Sequence, residues 1–202
     1  MKFLIWYNRQ MKLNLKNMVL VSILGAISGV LMLFKFPLPI APTFMKMDFS
    51  DSVLIIGGFL TGPVYSLIMI FIKWIVKLII TSTSTAYAGE LSGLILNISF
   101  ILPMSYFYSK NKTKKTAIIL MIIFSITTSL IAIFTNVYMI FPLYGLSGNA
   151  IVGPFKVLFP FVDSVWQVML ISILPFNLMK IAINSIIALV LYKKVSTFVH
   201  RH

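Results

Sequence analysis

The apolar residues of this chain come in long runs, and the interruptions between them carry most of the information. Residues 17–34 are almost wholly apolar and predict a first membrane helix. Lys35 to Asp51 (KFPLPIAPTFMKMDFSD) then breaks the pattern, with Pro37, Pro39 and Pro42 excluding a helix. A proline-stiffened loop has little conformational entropy left to lose, and this one is longer and more aromatic than a simple turn requires. Both features suit a lid over a ligand. Residues 52–60 predict a short second span, closed by the turn signal Thr61-Gly62-Pro63. A third span covers 63–80, a polar loop 81–88, a fourth span 90–108 and a fifth 116–141. Residues 142–174, rich in Gly, Pro and aromatics, read as an irregular region and not as a seventh span, because Lys156, Pro160 and Asp163 interrupt them. The last span begins near Pro175, read as a first-turn proline, and ends at Tyr192.

Composition agrees with this pattern. Apolar residues make up 59% of the 202-residue chain and charged ones 10%, less than half the usual share of a soluble domain. The expected fold class is an all-α integral membrane protein of six transmembrane helices, with a short second helix and a Pro-rich outer loop after helix 1. Its expected parts are a basic and aromatic cytoplasmic extension (1–16), a six-helix membrane substrate-binding domain (17–194) and a cytoplasmic tail (195–202). Within the extension, Trp6 and Tyr7 are expected at headgroup level, and Met1 and Met11 are both possible starts.

The net charge of +13 does not point to nucleic acid, because the lysines cluster in short segments flanking apolar runs. With six spans, the N-terminal lysines, the loop carrying Lys110, Lys112, Lys114 and Lys115, and the pair Lys193/Lys194 share one side, expected to be the cytoplasm of a bacterial cell. The loops 35–51, 81–89 and 142–174 then face outward. All four acidic residues (Asp48, Asp51, Glu90, Asp163) lie in or beside those loops, as do Asn136, Asn177 and Lys180. Polar side chains gathered at one membrane face describe an outward-facing ligand pocket.

Two lysines change the picture further. Counted from Gly62, Lys73 lies about 16 Å along its helix, near the bilayer midplane. Burial there costs on the order of 3 kcal/mol unless the ammonium is paired, with Asp51 or Glu90 as possible partners. Lys77 is close enough to the helix end to snorkel. Lys46, Asp48, Asp51, Lys73 and Glu90 are therefore expected in structural ion pairs, with Asp48 and Asp51 holding the loop.

Catalytic chemistry finds little support. The chain has no cysteine, hence no disulfide, thiolate metal site or thiol nucleophile. No GxxxxGK[ST] or HExxH motif occurs, no metal site is expected, and both histidines (His200, His202) sit at the extreme C-terminus. A binding module driven by an external motor fits better than a small membrane enzyme, the competing class.

Several segments occur in an order that resembles a known family. They are FPLPIAPTFMKMDFSD (36–51), GFLTGP (58–63), Ile72-Lys73, Gly89-Glu90-Leu91, Asn136 with Pro142-Leu143-Tyr144, and LPFNLMK (174–180). Together they resemble riboflavin-specific S components of energy-coupling-factor (ECF) vitamin transporters, over almost all of residues 17–194. The resemblance implies a vitamin pocket under the first loop, and uptake through a transmembrane T subunit with two ATP-binding-cassette ATPases. The expected ligand is riboflavin, as cargo and not as a cofactor; thiamine or pantothenate is the alternative within the class. Leu38, Ala41, Thr43, Met47, Tyr87, Asn97, Asn136, Tyr144, Asn177 and Lys180 are the expected substrate-binding residues. Asn136 and Asn97 would meet the isoalloxazine edge, and Thr43, Asn177 and Lys180 the ribityl hydroxyls.

The small-xxx-small pairs Ser22/Ala26 and Gly25/Gly29 on helix 1 permit close helix approach, whether of a helix within this chain or of another subunit; the resemblance implies that they are the docking face for the partner subunit, with Ser22 in the first place. Two departures stand out. The family pattern has Lys-Asn where this chain has Lys73-Trp74, and Ala-Asn where it has Ser92-Gly93.

Overall fold

The computed structural model describes residues 14–37, 45–81 and 87–201. The expected contacts of Leu38, Ala41 and Thr43, and the interfacial placement of Trp6 and Tyr7, lie outside the described residues. Asn14 starts the first helix, its side-chain oxygen accepting from the Lys16 N–H at 3.0 Å. Helix α1 (Leu15–Leu31) is followed by a two-stranded antiparallel ribbon, β1 (Phe36–Pro37) with β2 (Lys46–Met47), pairing Phe36 with Met47 and Pro37 with Lys46. Pro37 brings no N–H to a ladder, which suits so short a ribbon. Helix α2 (Ser50–Thr61) has 12 residues, roughly 18 Å at 1.5 Å per residue, too short to cross a bilayer alone. Its neighbours shield it, and ten of its residues are buried. Gly62 has φ +85°, which a side chain would oppose, and Pro63 takes the first position of α3 (Pro63–Ile80).

Helix α4 (Ala88–Lys110) and the long α5 follow. α5 runs as Lys114–Thr135, widens into a π-helical segment (Asn136–Ile140) and ends in the turn Phe141–Leu143. The region expected to be irregular contains helix α6 (Asn149–Leu158). The last helix, α7, begins at Val165 and not near Pro175. It runs as Val165–Val168, passes through a second π segment (Met169–Ile173) and continues as Leu174–Arg201, through the expected tail boundary. Ser164 and Gln167 form a capping box that fixes this earlier start. Pro175 is accommodated inside the helix because the wide turn lies just ahead of it. The segment before Pro142 does the same, easing the clash of a proline ring with the carbonyl four residues back.

Among the described residues there are seven continuous helices, one more than the six spans expected. Four (α3, α4, α5 and α7) are long and apolar enough to cross a membrane, and α1 and α2 are shorter apolar helices. α1 packs on α3 and α2, α4 on α3 and α5, and α7 on α2 and α5. One buried cluster (Val21, Leu54, Ile55, Met69, Ile101, Met104) fills the middle of this bundle. A second (Ile133, Phe141, Ile151, Val162, Met169, Ile173) seats α6 against the ends of α5 and α7.

The α1–α3 contact corrects one expectation. A Cβ on Gly25 would lie 2.9 Å from Ile72 Cβ, and one on Gly29 2.8 Å from Val76 Cβ. These two glycines therefore serve packing inside the chain, not partner docking, whereas Ser22 is exposed and Ala26 half-buried. Gly29→Leu should accordingly lower the melting temperature of the purified protein, by an overpacking cost of about 1–3 kcal/mol or more.

Candidate functional site

One end of the bundle encloses a cavity of about 500 Å³. It lies where α1 ends, α2 and α4 begin, and α3 and α5 approach their C-termini, so those helix ends supply its wall. The opposite end is filled: the tilted rings of Phe59 and Tyr108 lie 4.2 Å apart, and Tyr192 packs edge-on against Phe59 at 5.8 Å. The space therefore lies at a single end.

A buried ionic network forms the cavity floor. Lys73, 2% exposed, donates to Asp51 Oδ1 at 2.6 Å and to Asn97 Oδ1 at 3.1 Å. Asn97 Nδ2 donates to the same Asp51 oxygen at 2.9 Å, and the Trp74 indole N–H reaches Asn97 Oδ1 at 3.3 Å. Lys180 donates to Asp48 Oδ2 at 2.8 Å and lies 3.7 Å from Asp51 Oδ2. Asp48 also accepts the Ser50 N–H at 3.0 Å, and Asn184 holds both its backbone carbonyl and the Ser52 N–H. Burial alone would push the Asp48 carboxyl up, but the Lys180 ammonium beside it outweighs that and holds it below its ordinary value. Of the two possible partners of Lys73, the one it meets is Asp51; Glu90 pairs with Lys77. Lys77 is thus buried and paired instead of snorkelling.

The network ties the start of α2 and the loop before it to α3, α4 and α7. It also fixes how Asn97 can act. Its oxygen takes two donors and its amide serves Asp51, so it positions Lys73 and Trp74 and does not offer a free amide edge. Asn136 and Asn177 differ. Each donates Nδ2 to the carbonyl four residues earlier, Ala132 at 2.7 Å and Ile173 at 2.8 Å. Neither side-chain oxygen accepts a bond from a described residue, and both residues line the cavity. Asn136 opens the first π segment, and Asn177 lies four residues past the second.

Of the expected substrate residues, Asn97, Asn136, Tyr144, Asn177 and Lys180 come together in the cavity wall with Lys46, Asp48, Asp51, Lys73 and Glu90. Met47 does not; it is 1% exposed and packs in the protein interior below the ribbon. Tyr87 does not either, being largely exposed at the start of α4 with φ +65°. Among the described residues Lys46 makes no ion pair, so it lines the rim without the expected structural role. Sequence reasoning missed Met32, Trp74, Phe100, Phe176 and Asn184 as lining residues. Asn184 follows Asn177 by two turns and so shares its helix face, a spacing that pointed to it.

Comparison with known proteins places this geometry. A family model described as the ECF transporter, substrate-specific component, matches residues 16–192. The riboflavin transporter RibU of Staphylococcus aureus (strain TCH60) is 27% identical over 197 residues, covering 96% of this chain and 99% of that protein. The riboflavin transporter FmnP of Bacillus subtilis (strain 168) is 32% identical over 187 residues, covering 90% and 93%. A solved structure, described as the S component of a bacterial ECF transporter, superposes with a TM-score of 0.73 at 27% identity, covering 91% of this chain and 96% of that one. The chain therefore belongs to the substrate-specific components of ECF transporters, a family of membrane substrate-binding subunits and not of enzymes.

Proposed function

We propose that this chain captures riboflavin at the outer face of a bacterial membrane and delivers it through an ECF module, in which a T subunit and two ATP-binding-cassette ATPases supply the motor. The observation that carries the reading is the chemistry of the cavity wall. Trp74, Phe100, Tyr144 and Phe176 supply aromatic surface, and the Asn136 and Asn177 amides supply hydrogen-bond partners. Riboflavin asks for both: a flat, largely apolar ring, an edge of carbonyls and an N–H, and a polyhydroxyl chain. The three carboxylates of the wall each already hold a lysine, which suits a neutral ligand better than cationic thiamine. Pantothenate has no ring for the aromatic wall. The vitamin is cargo, and no resident cofactor is needed for capture.

In this reading α1 to α5 and α7 are the six spans, with both termini cytoplasmic and α6 lying at the outer face. Support comes from the lysines, since Lys110, Lys112, Lys114, Lys115, Lys193 and Lys194 lie toward the filled end, away from the cavity. On this cysteine-free chain, Thr113→Cys should resist impermeant thiol reagents in intact cells, and Ser147→Cys should react. The reverse labelling pattern contradicts the orientation.

Delivery has its own test. Ser22 is exposed and Ala26 half-buried on the first helix, and leucines there would hold a partner helix at a distance. Ser22→Leu/Ala26→Leu should leave riboflavin affinity of the isolated chain nearly intact. It should also abolish co-purification with the T subunit and stop ATP-dependent uptake of labelled riboflavin, both of which the unmodified chain supports. Uptake that persists with the leucines in place removes this face from docking.

A further inference from the structure

We propose that Trp74 and Gly93 form an interlocked pair that sets the breadth of the cavity and so determines which ring systems it accepts, a role that rests on the flavin reading above. The contact is one of shape. A Cβ at Gly93 would lie 2.5 Å from Trp74 Cη2 and 2.6 Å from Cζ2, far inside van der Waals contact with the edge of the indole. Gly93 is not among the glycines with positive φ, so no backbone conformation demands it. In mid-helix glycine is a poor choice for stability, and what it provides here is room for the ring.

The indole is held from three sides. The Cζ2–Cη2 edge of its six-membered ring abuts Gly93, its N–H donates to Asn97 Oδ1 at 3.3 Å, and the Lys73 ammonium lies 5.7 Å from its ring centroid. Because Asn97 is itself fixed by Lys73 and Asp51, the ring is tied to the ionic floor and has little freedom to swing aside. Trp74 also divides two spaces. With Glu90 it belongs to the cavity wall and to a lateral recess of about 320 Å³, lined otherwise by apolar residues such as Leu78, Leu91, Leu94 and Leu143. The indole is thus the partition that gives the cavity a flat, rigid aromatic side, a surface suited to a planar heteroaromatic ligand. Shortening it joins the two spaces. Adding a methyl group against its edge drives the ring out of place.

The test uses the full chain in detergent, titrated by flavin-fluorescence quenching with riboflavin and with lumiflavin, which carries the ring system without the ribityl chain. Trp74→Leu should weaken both flavins by the same factor, about tenfold, because the loss is to the ring. Gly93→Ala should weaken both comparably while Trp74 is present, and by less than about twofold in the Trp74→Leu background, where the new methyl group has space. Misfolding lowers the number of sites and leaves the affinity of the remainder unchanged, so stoichiometry separates the two effects. Gly93→Ala acting equally in both backgrounds overturns the interlock. Loss of riboflavin affinity with lumiflavin unaffected overturns the assignment to the ring. If the unmodified chain binds neither flavin, the functional reading fails and the pair's role with it. If it binds both and the variants match it, only the pair's role fails.

Discussion

Lys73→Met should destabilise the protein by about 3–5 kcal/mol, a large share of the stability of any domain this size. The substitution removes the nearest cation from Asp51, whose side chain is itself almost wholly buried, and leaves a carboxylate in a low-dielectric interior. Methionine fills a similar volume, so the loss is electrostatic and not a cavity effect. Lys180 at 3.7 Å and the Asn97 amide at 2.9 Å remain to Asp51, which places the expected cost toward the lower end of that range. Neutralising the orphan in the double variant Lys73→Met/Asp51→Asn should recover much of the loss, because breaking a buried pair costs more than replacing it. Thermal unfolding in detergent reads both. A single variant that melts with the unmodified chain contradicts the buried pair.

Asn136→Leu should cost at least about 1–3 kcal/mol of riboflavin binding, tenfold or more for a typical value in that range. Leucine is close in size, so the cavity keeps its shape while ligand atoms that had an amide to meet are left without one. The variant also gives up the bond to the Ala132 carbonyl, but that lies within the helix and affects stability more than affinity. The same change at Asn97 should behave differently. Its polar atoms serve Lys73, Trp74 and Asp51, so the variant should lose thermal stability before ligand affinity. Unchanged quenching titrations for Asn136→Leu remove that residue from the site.

The membrane class and the helix pattern were legible because run length and charge placement follow directly from the bilayer. Rotation about each helix axis was not legible. Spacing alone allowed Lys73 either Asp51 or Glu90, and the choice depends on how α3 turns between α2 and α4. The same ambiguity explains Lys77, whose reach toward water is overridden by Glu90 at the first turn of α4. Small-xxx-small spacing reads identically for Ser22/Ala26 and Gly25/Gly29, and only the position of α3 tells inner from outer. The early start of α7 was legible in Ser164 and Gln167, a capping-box spacing, but Pro175 drew the boundary too late because π segments are invisible to hydrophobic periodicity. Trp74 and Gly93 were visible as departures from the family pattern; that they touch depends on the packing of two helices.

Whether the cavity takes a flavin can be measured directly. The chain, purified in detergent and stripped of any co-purified flavin, is titrated against a fixed amount of riboflavin while its fluorescence is followed. Quenching should saturate at one riboflavin per chain and be undiminished by an excess of thiamine or pantothenate. Quenching that rises without saturation, as for partition into detergent, or displacement of the flavin by either competitor, would contradict the flavin reading.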